Sequence, residues 1–188
     1  MKILIISCLL ILSFTKMSFS QNTESQEEEI IKNIRQEYNT IQENKSTYDT
    51  TTVDIMGEST EGGQLVGYYD IKNNRELKVI NMTWLGEAGK HIFTFYLKND
   101  KLFFIFEQHF EYNTSIYMTK EVAKENEIAA FDIRKSKIEE NRYYFDNGKL
   151  FRWINPKREK VDLQIEENIT KEKELKKEFV RLSKKLKK

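Results

Sequence analysis

The chain is short of the residues that staple, kink or open a fold: one cysteine, one proline and seven glycines among 188 residues. The lone Cys8 has no partner in the chain, which excludes a disulfide scaffold and a multi-cysteine metal centre. Glycine is too scarce for a backbone nest around phosphate. None of the Gly-x-Ser-x-Gly, phosphate-loop, His-Glu-x-x-His or calcium-loop spacings occurs. An excess of one charge is missing as well: 31 Lys and Arg stand against 30 Asp and Glu, so no global field recruits nucleic acid. The apolar run from Ile3 to Phe14 falls short of the roughly 20 residues that span a bilayer.

That run, preceded by Lys2 and followed by small Ser18 and Ser20, has the pattern of a secretory signal peptide over residues 1–20 with cleavage before Gln21. Cleavage there removes Cys8 and delivers the rest to the periplasm or the extracellular space. Residues 21–188 are then expected to form a single domain held together by burial alone. Asn44, Asn81, Asn113 and Asn168 sit in Asn-x-Ser/Thr sequons that matter only in a eukaryotic secretory pathway. The short signal and the lack of cysteine suit a bacterial exported protein better.

What the chain does have is a twelve-residue pattern written twice, Phe95 to Phe106 (FYLKNDKLFFIF) and Tyr143 to Ile154 (YYFDNGKLFRWI), with a looser copy from Tyr68 to Ile80. In each close copy an aromatic run stops at a polar pair, Asn99-Asp100 or Asn147-Gly148, and resumes with Lys-Leu-Phe. Asn-Gly between apolar runs is a strong hairpin signal, because both central residues of a type I′ turn need positive φ.

Other strands are expected over 51–56, 64–71, 76–84, 90–98 and 101–112. Links this short between them make them antiparallel neighbours, a meander. Apolar Ile30, Ile31, Ile34, Tyr38 and Ile41 recur at helical spacing, giving an N-terminal helix over 24–44. Thr119 caps a short helix near 120–130. From about Ile165, Ile169, Leu175, Phe179, Leu182 and Leu186 return at helical spacing in a segment whose last 18 residues, 171–188, hold nine basic and three acidic residues. The fold class is therefore α+β: an antiparallel meander of about six strands, with an N-terminal helix and a basic amphipathic C-terminal helix packed on it.

With regular pairing outward from Lys98 and Lys101, one sheet face carries Phe93, Phe95, Leu97, Leu102, Phe104 and Phe106. The same count pairs His91 with Gln108 and sends His109 to the opposite face, so the two histidines share no metal unless a bulge intervenes. In the second hairpin it sets Tyr143, Phe145, Leu150, Arg152 and Ile154 on one side. Arg142, Tyr144, Phe151 and Trp153 lie on the other, with Arg142 facing Trp153 at cation–π range. Arg142, Tyr144, Arg152 and Trp153 are the candidate binding residues. No catalytic, metal or cofactor residue is singled out. The loop 86–90 and the cluster 132–137 are further places where polar groups converge.

The segment from Glu140 to Ile154 resembles a family of uncharacterised exported bacterial proteins that carry an Arg-Tyr-Tyr-Phe-x-Asn-Gly-Lys-Leu-x-Arg-Trp hairpin, and the stretches 62–69 and 101–104 look similar too. The resemblance implies an exported protein and carries no activity. The expected function is a non-catalytic binding module of the cell envelope with an envelope or extracellular partner. The rivals are an envelope hydrolase using carboxylates or one histidine, and a protein that touches the membrane surface through 176–188.

Overall fold

The computed structural model describes residues 25–187, so the expected signal segment 1–20 lies outside the described residues. Helix α1 covers 25–44 and runs into a 3₁₀ turn, Lys45–Thr47. Strands β1 (Asp49–Ile55), β2 (Gly63–Asp70), β3 (Glu76–Gly86), β4 (Gly89–Lys98) and β5 (Lys101–Glu111) come next. Helix α2 (Lys120–Glu125) precedes β6 (Lys137–Asp146) and β7 (Lys149–Ile154), and α3 (Glu166–Leu186) ends the chain. The fold is α+β, with seven strands in one sheet whose order β1-β2-β3-β4-β5-β6-β7 is that of the chain. Every pairing is antiparallel. The described residues fall into two units divided between Asn39 and Thr40, and the sheet, α2 and α3 belong to the second.

Helix α2 is shorter than its spacing suggests. Thr119 caps it by accepting from the Val122 amide, and Glu127, at φ 54°, turns the chain out of the helix just beyond Asn126.

The hairpins are built as the repeat implies, with one addition. Asn99 (φ 50°) and Asp100 (φ 60°) form one turn, Asn147 (φ 46°) and Gly148 (φ 76°) the other. Lys98 pairs with Lys101 and Leu97 with Leu102, but Tyr96 then pairs with Phe104, so Phe103 is an extra residue on β5. Likewise Phe145 pairs with Leu150 and Tyr144 with Arg152, leaving Phe151 extra on β7. A third shift leaves Lys78 extra on β3, two residues after the start of that strand. The repeated Lys-Leu-Phe thus encodes a turn and then a β-bulge, and a one-residue slip exchanges the faces of every residue beyond it.

The expected core face is corrected accordingly. Phe95 pairs with Ile105, and Phe104 and Phe106 lie on the other side of the sheet with Tyr96 and Thr94. The face under α3 carries Leu65, Ile80, Met82, Phe93, Phe95, Leu97, Ile105, Tyr143, Phe145 and Leu150, joined by Leu175, Leu182 and Leu186 of the helix. Those three leucines recur at seven and four, one stripe of α3, and contribute about 2 kcal/mol each when fully buried. Gly67 of β2 makes room for this docking: a Cβ there would lie 2.9 Å from Leu186 Cδ1. Ile169, expected in the stripe, is 45% exposed, because it sits in the first turn, before the helix reaches the core. On the other face, Gln42 in the last turn of α1 donates to Tyr96 Oη at 2.9 Å.

Candidate functional site

Beyond the Phe103 bulge, β5 turns Glu107 and His109 toward the α3 side, where regular pairing would have placed Gln108. His91 on β4 is the direct cross-strand partner of His109, correcting the expected separation of the two histidines. Their rings stand edge to face with centroids 5.5 Å apart. His91 Nε2 lies 2.9 Å from Glu107 Oε1. With a carboxylate as acceptor, that nitrogen carries the proton, which leaves Nδ1 with the lone pair. Glu107 Oε2 accepts from the Tyr143 hydroxyl of β6, and Lys171 of α3 places Nζ 3.8 Å from Oε1. The same ammonium stands 5.6 Å above the Tyr143 ring and 6.0 Å from that of Phe93.

Glu107 has a side chain only 9% exposed. Burial by itself pushes its carboxyl up, but the hydrogen bonds from His91 and Tyr143 and the charge of Lys171 outweigh that and hold it below the usual carboxylate range. The Tyr143 hydroxyl is pushed well up, first by burial and then by the adjacent Glu107 charge. The carboxylate therefore stays ionised and the phenol stays protonated at neutral pH, a fixed donor–acceptor pair that holds the His91 ring. Trp84 and Phe93 flank that ring at centroid distances of 6.0 and 4.7 Å. His109, at the outer end, is exposed.

At the opposite end of the same sheet face, the β2–β3 and β4–β5 turns and the last turns of α3 enclose an open groove of about 730 Å³. Its lining includes the apolar Leu77, Leu97 and Phe179, the cations Arg75, Lys184 and Lys187 and the acids Glu76 and Asp100, and Arg75 is paired with Asp49 at 3.3 Å. Glu76 ties the two turns together: Oε1 accepts from the Asn99 amide at 2.6 Å, and Oε2 accepts from Asn73 Nδ2 at 2.5 Å and Lys78 Nζ at 2.9 Å. The backbone bounding the groove is thereby fixed.

The residues singled out from the sequence divide between the two faces. Arg142, Tyr144 and Arg152 share the face away from α3, where Arg142 lies 5.1 Å over the Phe106 ring and 2.6 Å from Glu140. Tyr144 is the cross-strand partner of both Phe104 and Arg152. Trp153 is on the α3 side, paired with Tyr143 at 5.2 Å and donating Nε1 to Asn141 Oδ1 at 2.8 Å. Arg142 faces Ile154, so the expected Arg142–Trp153 cation–π pair does not form; the Phe151 bulge separates them.

Loop 86–90 and cluster 132–137 serve as connections. Glu87 accepts from Ser115, and Asp132 caps its own 3₁₀ turn while Arg134 folds back on it. Part of the basic run of α3 is already matched by acid. Glu58, after β1, accepts from Arg181 Nη1 at 2.7 Å and from Lys185 Nζ at 2.9 Å, and the Arg181 hydrogen bond above all holds its carboxyl down to about 2.

Sequence reasoning missed Glu107, His109 and Tyr143 as a group because it lacked the bulge. Arg152 was the signal for the second bulge, since regular pairing sets this cation on the core face beside Tyr143 and Leu150, and the shared Lys-Leu-Phe carries the same slip over to β5. No helix among the described residues is long and apolar enough to cross a membrane. Comparison with protein-family models, with curated proteins and with solved structures found nothing that matches this chain.

Proposed function

We propose that this chain is an exported, non-catalytic binding module of the cell envelope, and that its ligand lies in the groove between the two turns and the end of α3. The observation that carries the reading is the groove itself. Its 730 Å³ falls in the range of about 300–1,000 Å³ typical of small-molecule sites, and apolar side chains with a few charged groups among them are the lining such sites use. The chemistry selects a ligand with an apolar body and a negatively charged end. Lys184 and Lys187 meet the charge, and Leu77 and Phe179 meet the body. The Glu76 bridge lowers the ordering cost of binding, since the turns are already held. The apolar N-terminal run with Ser18 and Ser20 before Gln21, and the resemblance of 140–154 to segments of exported proteins, support export.

The test uses anilinonaphthalene sulfonate, an aromatic body with an anionic end, titrated into the folded protein. One saturable site is expected. Val180→Glu sets a carboxylate on the groove wall at a position 47% exposed and weakens the site by about tenfold, or 1.4 kcal/mol. Ile138→Glu, at an exposed position on β6 far from the groove, leaves it unchanged. Equal affinity in all three proteins ends this assignment. Export is checked separately: the protein recovered outside a bacterial cytoplasm starts at Gln21, and retention of Met1 there refutes the cleavage.

A further inference from the structure

We propose that His91 and His109 form a two-histidine site for a borderline divalent transition metal, copper(II) in preference to zinc(II), with the remaining coordination positions open to water or an external donor. The geometry is that of neighbouring residues on one sheet face, with imidazole centroids 5.5 Å apart. An ion bonded to imidazole sits about 2.0–2.1 Å from the ring nitrogen, so the site requires the exposed His109 ring to turn toward His91 Nδ1 while the Glu107 hydrogen bond keeps the His91 ring in place.

His91 is prepared for this role. Its Nε2–H donates to Glu107, so Nδ1 is the nitrogen that presents a lone pair, and a carboxylate behind a ligating histidine fixes the ring and raises its basicity. Glu107 is in turn held by the Tyr143 hydroxyl, so three strands support one imidazole. The surrounding charge does not oppose a cation, since Lys171 is offset by Glu107, and Lys137 by Glu139, the cross-strand partner of His109 on β6. His109 is exposed and the His91 side chain is 34% exposed, so solvent reaches both rings.

Among the described residues no group of three or more His, Cys, Asp or Glu is placed to hold an ion, so the site is a bis-imidazole one. Imidazole pairs suit copper, nickel and zinc, and copper(II) heads the affinity order for such donors.

The experiment titrates copper(II), then zinc(II), into the protein by calorimetry and records the electron paramagnetic resonance spectrum of the copper form. One ion is expected, with two imidazole nitrogens in the spectrum and copper bound more tightly than zinc. His109→Gln changes an exposed side chain, so the protein stays folded, and it weakens copper binding at least tenfold. His91→Gln does the same, and Glu107→Gln weakens binding by about 10–100-fold through the freed ring. Copper affinity unchanged in His109→Gln, or a spectrum without imidazole nitrogen, overturns the site. Unchanged affinity in Glu107→Gln overturns the role given to that carboxylate.

Discussion

The β4–β5 and β6–β7 hairpins share a sequence pattern, a left-handed two-residue turn and a bulge three positions after it, yet the strand beyond the bulge differs between them. On β5 the face under α3 continues through Ile105, Glu107 and His109; on β7 it holds Trp153 and the strand ends one residue later. The same local geometry therefore delivers a buried ionised carboxylate and a histidine in one copy and a single aromatic anchor in the other. The repeat specifies where side chains point. The residues after it specify what they do.

Adding a residue just beyond each bulge breaks the comparison most severely. Inserting one alanine after Phe103 turns every later residue of β5 over, sending Glu107 and His109 away from α3 and spoiling the pairing with β6. The expected loss exceeds about 4 kcal/mol, seen as failure to reach a cooperative urea transition. Inserting one alanine after Phe151 moves only three residues but drives Arg152 toward the core, so a loss of about 2–4 kcal/mol is expected with folding retained. Equal tolerance of both insertions would contradict the register described.

The polar cluster offers a smaller contrast. Glu107→Gln removes a charge-assisted pair with His91 and Tyr143, and should cost about 2 kcal/mol at pH 7. The sign in pH is set by the lowered pKa of Glu107. Its contribution is fully present above the ordinary carboxylate range and is lost as pH falls through the value it has in the folded protein. Urea midpoints measured from pH 7 down to pH 3 should fall more steeply for the native protein than for Glu107→Gln. Parallel curves would show that the cluster contributes nothing to acid sensitivity.

The smallest effects lie in the turns. Asp100, at φ 60°, stands where the second hairpin has Gly148, at φ 76°. Asp100→Gly should stabilise by about 0.5 kcal/mol and Gly148→Ala should destabilise by about 1 kcal/mol, since space around Gly148 is open and only the backbone resists. Thermal melts that move the same way in both variants would refute the equivalence of the two turns.

Much of this architecture can be read from the residues. Asn147-Gly148 marks its turn by chemistry alone, Thr119 marks its cap, and Leu175, Leu182 and Leu186 mark the face that α3 buries. The bulges are less legible, because Phe103 and Phe151 look like any strand aromatic and their displacement depends on what each flanking row must bury. Arg152 was the visible conflict, and resolving it by one slipped residue would have brought Trp153 to Tyr143. The Glu107 cluster was hidden for the same reason: residues two apart on a strand reveal their neighbours only when register is known. The groove depends on how two turns and a helix end meet, which no local pattern records.

The order of the strands has a kinetic consequence. Because each strand bonds only to the ones before and after it in the chain, closing the sheet never requires a distant loop to be gathered first. Ribbons can zip successively, each laid on the last, with rapid folding for so β-rich a molecule. Only α3 must wait. It reaches back across the finished face to β1, β2 and β3, so its docking closes the longest stretches of chain in this unit.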